Sequence, residues 1–380
     1  MQVDMHYYGT LAMALVAGIP KEKARIIAYA SQFVDDSSSH ENGCNNDGGM
    51  LVTFTTSHEL IDSAKTMIAD TVAGVADYSD KLQDTVMYNK EIQRKVWVPN
   101  HFLPGGKGET LEERAICQRN SKIANIMFDE HIDYALKDRG DYDYGLHLLG
   151  VAAHVYMDTF SHYGFSGFSS DFNRIKSSSM KVSGEYAYPS LLEKTGMILK
   201  SEVPFFFLWD KVKSDFAEGG DSALGHGAVM SLPDMPFLKW EFYFEKPRPG
   251  NGCLSVRDNV ASFAEGCKAL YMKLRAYAEK KYADTQPVAY DDIRGRVLSV
   301  LNVVGDKETR SDAWYKSGLL PEDAPRYDKN EWAMEIEKFG YLARSEDGLT
   351  LDCYKFHQAA TYHRYYVLKD LLPRHRIALY

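Results

Sequence analysis

The chain has 380 residues, of which 45% are hydrophobic and 26% are charged, and its formal net charge is −9. This length allows one large domain or two of ordinary size, and the composition is that of a globular protein. The negative charge argues against a surface that holds nucleic acid or an acidic membrane by electrostatics, although a local basic pocket stays compatible with it.

The location of the protein is inferred from its first residues and its cysteines. The amino terminus lacks the basic region of a secretory signal, and no run of about 18 apolar residues predicts a membrane span. The five cysteines are widely spaced and form no C-x-x-C pair, which favours reduced thiols. We therefore expect a cytoplasmic protein.

Helical patterns dominate the chain. The first predicted helix follows Pro20, and its apolar residues recur at helical spacing. A second, at 110–138, opens with Thr110 and Glu113, the pattern of a capping box. A third, at 143–162, is apolar almost all round, which predicts a central helix. Further helices are predicted at 188–199, 256–282, 289–303, 307–315, 329–338 and 354–371.

Strand patterns are few. The clearest alternation is KWEFYFE at 239–245, while the composition of 35–49 predicts a loop and that of 245–252 a connector. We therefore predict an all-α fold, a multi-helix bundle. It would consist of a helical domain at 1–245 and a helical extension at 252–380 packed on it.

Three ligand-type side chains lie four residues apart on the predicted central helix. His154, Asp158 and His162 advance by about 40° per step, so they form one stripe, and His147 falls on the same stripe. Imidazole and carboxylate are zinc ligands, and leaving them buried and unpaired would cost several kcal/mol. The alternative is a hydrogen-bonded polar seam in which Asp158 bridges the two histidines.

Other His and Asp residues could complete a metal site. Two carboxylates end the helix IIAYASQFVDD, although helix C-termini favour cations. One histidine lies near the amino terminus in MHYYGT, one in the proline-bounded turn VWVPNHFLPGG, and one between glycines in GHGAVMSLPD, followed by an aspartate. Together these residues supply ligands for two or three metal ions. They are His6, Asp35, Asp36, His101, His226 and Asp234.

The order of these residues resembles the zinc-dependent phospholipase C superfamily, which includes the single-strand-specific zinc nucleases. In that family an amino-terminal His, a helix-ending Asp, a His before an aromatic residue and an H-x3-D-x3-5-H helix surround three zinc ions in an all-helical fold. The stretch GVAAHVYMDTFSHYGF is also similar to the corresponding helix of glycosylphosphatidylinositol phospholipase D. The resemblance covers about residues 1–235 and suggests a divergent bacterial branch with a changed substrate.

The resemblance implies two or three bound ions, zinc or another divalent metal. Family members carry Glu four residues after their last His, where this chain has Met230, so either Asp234 substitutes or a ligand is missing. The resemblance assigns Asp36 or Asp35, His101, His154 and Asp158 to one zinc, His162 and His226 to a second, and His6 with Asp158 to a third.

The function expected from such a site is hydrolysis of a phosphoester, either a phosphodiester or a phospholipid-like molecule. Clustered dications lower the pKa of a bound water and neutralise the charge of the transition state. Asp158 would bridge two ions. The proton of the attacking water could be accepted by Asp35, Asp36 or Asp234, of which Asp35 is favoured. The expected partner is a small-molecule or lipid phosphoester, and no stable nucleic-acid-binding surface is expected.

Two non-enzymatic interpretations stay open. The site could hold metal without catalysis, or the chain could be a helical interaction protein with polar networks in its core. Structural zinc sites usually contain cysteine, and no cysteine lies near the histidines in sequence, which favours catalysis. The chain also lacks the H-E-x-x-H, G-x-S-x-G and Walker motifs of other hydrolases.

Overall fold

The computed structural model describes residues 1–38, 43–57, 90–140, 143–183, 224–229 and 231–379. Within these ranges the chain is mostly helical and also contains two antiparallel sheets. The helix predicted at 188–199, and Met230, lie outside the described residues. No helix in these ranges is long and apolar enough to cross a membrane.

The helices before residue 163 include the central helix of the fold, which is the last of them. Their bounds are α1 (a π-helical segment Asp4–Gly9 and then Thr10–Val16), α2 (Lys21–Asp36), α3 (three consecutive segments, Lys90–Ile92, Gln93–Trp97 and Val98–Asn100), α4 (Leu111–Arg114), α5 (Lys122–Ala135) and α6 (Gly145–His162).

The helices after residue 258 follow the predicted ones closely. Their bounds are α7 (Asn259–Lys281), α8 (Tyr290–Leu301), α9 (Lys307–Lys316), α10 (Asn330–Gly340) and α11 (Asp352–Tyr366, continued by Val367–Leu371 and Leu372–Arg374).

The prediction of a single helix at 110–138 is wrong, because two helices form there. Thr110 and Glu113 do form the capping box, but the helix that they start ends after one turn. Cys117 then pairs with Pro104 in a β-bridge, and Asn120 has a φ of 51°, so the chain leaves the helical path. Helix α5 starts anew with Ser121 as its cap.

The prediction of an all-α fold is also wrong, because strands form in two places. A small sheet pairs β1 (Gly43–Cys44) with β2 (Met50–Leu51). A larger sheet has the order β3-β4-β5, with β3 at Ile175–Val182, β4 at Lys239–Arg248 and β5 at Gly252–Asp258. The chain is therefore mixed α and β, and only β4 shows a clear alternating pattern.

The segment 245–252 forms the turn of a β-hairpin. Arg248 pairs with Gly252 across the turn, and Gly250 and Gly252 have φ angles of 82° and 64°, which glycine adopts without strain. On β4, Trp240 and Phe242 are buried. Residues from both sides of this turn belong to the same hydrophobic core, and the division into domains at 1–245 and 252–380 stays a prediction.

Helix α6 is the centre of the fold and packs against α2, α5, α7 and α11. Its contact with α2 is close because Gly150 has no side chain: a Cβ there would lie 2.4 Å from the carbonyl oxygen of Ile27. This packing places the second half of α2, which carries Ser31 and Asp35, beside His154.

Candidate metal centre

The structure brings the side chains of His154, Asp158 and His162 together in one cluster. Each of these residues is at most 1% exposed. Asp158 Oδ2 lies 3.2 Å from His154 Nε2 and 3.5 Å from His162 Nδ1. His147 does not join them, because its Nε2 lies 3.0 Å from Asp352 Oδ1 on helix α11.

Backbone carbonyls fix the tautomers of three histidines. The oxygen of Ser31 lies 2.8 Å from His154 Nδ1, and that of Thr56 lies 2.7 Å from His101 Nε2. The oxygen of His101 itself lies 2.8 Å from His162 Nδ1. Because a carbonyl oxygen can only accept, each of these ring nitrogens donates its proton. The other nitrogen of each neutral ring is therefore a bare acceptor.

Two of these bare nitrogens face each other. His101 Nδ1 lies 3.1 Å from His154 Nε2, and Asp158 Oδ2 lies 3.5 and 3.2 Å from them. Asp35 Oδ1, from the end of α2, lies 3.8 Å from each nitrogen. Acceptors directed at one another repel, so this arrangement requires a proton or a metal ion between them.

A second group of possible ligands forms around Asp234. Its Oδ1 lies 3.2 Å from His162 Nε2, and its Oδ2 lies 3.6 Å from His226 Nε2. Ser161 donates a hydrogen bond of 2.9 Å to Oδ1 and so orients the carboxylate. The structure therefore brings Asp234 together with His162 and His226.

His6 completes the cluster from helix α1. Its ring stacks on that of His154, with 3.8 Å between the ring centroids. His6 Nε2 lies 3.2 Å from Asp158 Oδ1 and 3.9 Å from Asp35 Oδ2, and neither ring nitrogen has the geometry of a hydrogen bond. A fully buried imidazole without hydrogen bonds needs another partner.

The electrostatics of the cluster favour a cation. Burial lowers the pKa of His154, but the carboxylates of Asp158 and Asp35 outweigh it and raise that pKa. Burial likewise raises the pKa of Asp158, while the imidazole of His162 and the amino group of Met1 hold it well below its usual range. Asp158 is therefore ionised at the centre of the cluster.

The amino group of Met1 lies where a cation is expected. It is 2.8 Å from Asp158 Oδ1, 3.1 Å from Asp234 Oδ1 and 3.4 Å from His162 Nε2. Burial lowers its pKa, but the carboxylates around it raise the pKa to about 11. The amine thus bridges the groups centred on Asp158 and Asp234.

Asp36 lies outside the cluster. Its Oδ2 accepts hydrogen bonds of 2.7 Å from the Tyr327 hydroxyl and 3.0 Å from the Gln32 amide. Its neighbour Asp35 is the carboxylate at the end of α2 that reaches the histidines. Of the two alternatives left open by the sequence, this placement favours Asp35 as a ligand.

Among the described residues, three groups of side chains have their ligand atoms within 4.8 Å of one another, close enough for the members of each group to bind one ion. All members are His or Asp, and the first two groups share His154. They are His6, Asp35 and His154; His101, His154 and Asp158; and His162, His226 and Asp234.

No sequence pattern predicted the groups that hold the cluster in place. Arg257 donates a hydrogen bond of 3.1 Å to the Ser161 carbonyl and another to that of Tyr163, at the end of α6. Arg310 forms a buried ion pair of 2.8 Å with Asp4, in the segment that carries His6. Both arginines lie far along the chain from the cluster, and only an observed contact could identify them.

Comparison with known protein families finds one match. A family model described as "Family of unknown function (DUF6765)" matches residues 1–371. The chain belongs to this family. No curated protein and no solved structure matches the chain. The description of this family assigns no function. A function for the chain is therefore inferred from the geometry of the cluster, which lies within the matched residues.

Proposed function

We propose that the chain is a metal-dependent phosphoester hydrolase whose cluster holds two or three zinc ions. The observation that carries the proposal is the pair of ring nitrogens, His101 Nδ1 and His154 Nε2, that face each other 3.1 Å apart beside the buried carboxylate of Asp158. Neutral imidazole and carboxylate are usual zinc ligands, and none of the five cysteines belongs to the ligand groups.

The ligand groups suggest how the ions would be shared. This scheme agrees with the resemblance to the zinc-dependent phospholipase C superfamily, with Asp35 as the helix-ending aspartate and Asp234 in place of the usual glutamate. The residues that would hold the ions are Asp35, His101, His154 and Asp158 for the first, His162, His226 and Asp234 for the second, and His6 with Asp158 for the third.

The proposed hydrolysis depends on the positive charge of the bound ions. Bound dications would lower the pKa of a coordinated water and neutralise charge on a phosphoryl oxygen. Among the cluster carboxylates the side chain of Asp35 is 16% exposed, compared with 11% for Asp234 and 1% for Asp158. Asp35 is therefore best placed to accept a proton from a water at the edge of the cluster.

The candidate substrates are phosphodiesters, phosphomonoesters and phospholipids. A reduced, cytoplasmic setting also stays a prediction, which rests on the spacing of the cysteines.

The test is a hydrolysis screen with one substrate of each class, with and without added zinc. We expect turnover of at least one class by the wild type, because a cluster with an exposed edge can admit a phosphoryl group. Asp158→Asn should reduce the rate further than His6→Ala, since Asp158 lies within 3.5 Å of histidines from all three ligand groups and His6 belongs to one group.

Two results would count against the hydrolase. Absence of turnover in all three classes would favour the alternative of a non-catalytic metal-binding protein. Turnover that survives Asp158→Asn would show that the chemistry lies elsewhere on the chain.

A further inference from the structure

A cavity of about 170 Å³ lies between the end of α2 and helices α10 and α11. Its floor contains the buried side chains of Phe33, Ile336 and His357, and its exposed rim includes Lys329 and Asn330. The volume is similar to that of a cavity of about 150 Å³ that accommodates one six-membered ring. The cavity is therefore large enough for one small ring.

The floor of the cavity contains a hydrogen-bond donor without a partner. His357 is 2% exposed, and its Nδ1 accepts a hydrogen bond of 3.3 Å from the backbone N–H of Phe54. The ring proton therefore lies on Nε2, which makes no hydrogen bond with the described residues. Burial lowers the pKa of His357 to about 3, so the ring is neutral at physiological pH. Because His357 lines the cavity, a ligand or a water there can accept a hydrogen bond from this nitrogen.

The two sides of the cavity have opposite polarity. Asp36 contributes a carboxylate at the C-terminal end of α2, where the helix dipole is negative. Lys329 and Asn330 contribute an ammonium and an amide at the N-terminal end of α10, where the dipole is positive. Asp36 disfavours an anion and Lys329 disfavours a cation. A neutral group with several hydroxyls can donate to the first side and accept from the second.

The cavity adjoins the cluster through consecutive residues of α2. Asp35 reaches the histidines, and Asp36 lines the cavity. We propose that the cavity binds a neutral polyhydroxylated ring, such as a sugar, as the alcohol part of the phosphoester on which the cluster acts. This inference rests on the proposed function for the role of the ring, but binding of the ring can be measured without hydrolysis.

The test is calorimetric titration of the full chain with glucose, galactose and mannose, and with inorganic phosphate and choline as charged probes. Each titration is done with zinc-loaded and with chelator-treated protein. At least one sugar should bind in both forms. Ala333→Trp, on the lining of the cavity, should weaken this binding at least about tenfold because the indole fills the space.

The matched control is Met334→Trp, which places the same side chain at the next residue of α10, 48% exposed and outside the lining. This variant should bind the sugar within about twofold of the wild type. The inference is overturned if no sugar binds, if phosphate or choline binds more tightly, or if both variants weaken binding equally. Sugar binding without phosphoester hydrolysis would refute the proposed hydrolase alone, and hydrolysis without sugar binding would refute this inference alone.

Discussion

At the scale of single residues, the carbonyl oxygens of Ser31, Thr56 and His101 decide what the cluster can bind. Each accepts a hydrogen bond from one imidazole and so directs the other nitrogen of that ring towards the carboxylates. Such outer partners fix the orientation of metal ligands before the ion arrives. The cluster is therefore preorganised for a cation, independently of the reaction that follows.

Replacement of Asp158 tests this arrangement directly. Asp158→Asn keeps the volume but removes the charge that lies between His154 and His162. We expect the variant to retain less than about half of the wild-type metal after gel filtration, because this carboxylate contacts histidines from all three ligand groups. The measurement is metal content per chain by plasma mass spectrometry.

The control is Asp352→Asn, which removes a carboxylate that also contacts a histidine of α6. Asp352 Oδ1 lies 3.0 Å from His147 Nε2, outside the cluster. Its loss should leave the metal content unchanged. Equal loss of metal in the two variants would mean that Asp158 acts only through stability.

At the scale of elements, the distance between α2 and α6 determines whether the ligands meet. Ser31 and Asp35 come from α2, and His154 and Asp158 from α6. Gly150 lets the two helices approach closely, since a Cβ there would also lie 2.5 Å from the Cβ of Ala30. A shift of α2 would separate the ligands even if each side chain were intact.

Gly150→Ala should therefore destabilise the protein by about 1–3 kcal/mol, because the added methyl group meets backbone that cannot move freely. Gly295→Ala is the matched control, since Gly295 lies exposed on α8 with no atom within 4 Å of its added Cβ. That change should stabilise the protein by about 0.5–1 kcal/mol through helix propensity. The measurement is urea unfolding, and a neutral Gly150→Ala would contradict the close packing.

Sequence periodicity predicted the helices better than it predicted the strands. The stripe on α6 is visible because helical spacing is local, and KWEFYFE shows the alternation of β4. The partner strand β3, with the sequence IKSSSMKV, has little alternation. Its pairing depends on contacts with β4, which lies far away in the chain. The sheet was therefore missed.

The candidate site was also only partly predictable, because some of its contacts join residues that are far apart in sequence. Residues close in sequence, such as His154 and Asp158, could be grouped by spacing alone. The choice between Asp35 and Asp36 depended on the rotation of α2 and on Tyr327, 291 residues away, which binds Asp36. Such long-range partners leave no local pattern in a single sequence.

At the scale of the whole molecule, buried neutral histidines make stability depend on pH. Burial lowers the pKa of His357 to about 3 and that of His363 to about 4, whereas the unfolded chain titrates near 6.5. Below pH 6.5 the unfolded state therefore binds protons that the folded state does not. The contribution of these histidines to the free energy of unfolding falls as the pH falls.

His357→Gln should reduce this pH dependence. Between pH 7 and pH 5 its loss of stability should be smaller than that of the wild type by about 2 kcal/mol, from about 1.4 kcal/mol per pH unit below 6.5. The measurement is urea unfolding at both pH values with chelator present, so that metal release does not contribute. Equal losses in the two proteins would show that His357 is not buried as a neutral ring.

The central claim is that the His and Asp cluster holds transition metal. The most direct measurement is elemental analysis of the full chain purified without chelator. We predict about two equivalents of metal or more, chiefly zinc, because the ligand groups contain only imidazole and carboxylate. Less than about half an equivalent of any transition metal would contradict the claim, because the cluster would then be a hydrogen-bonded polar seam.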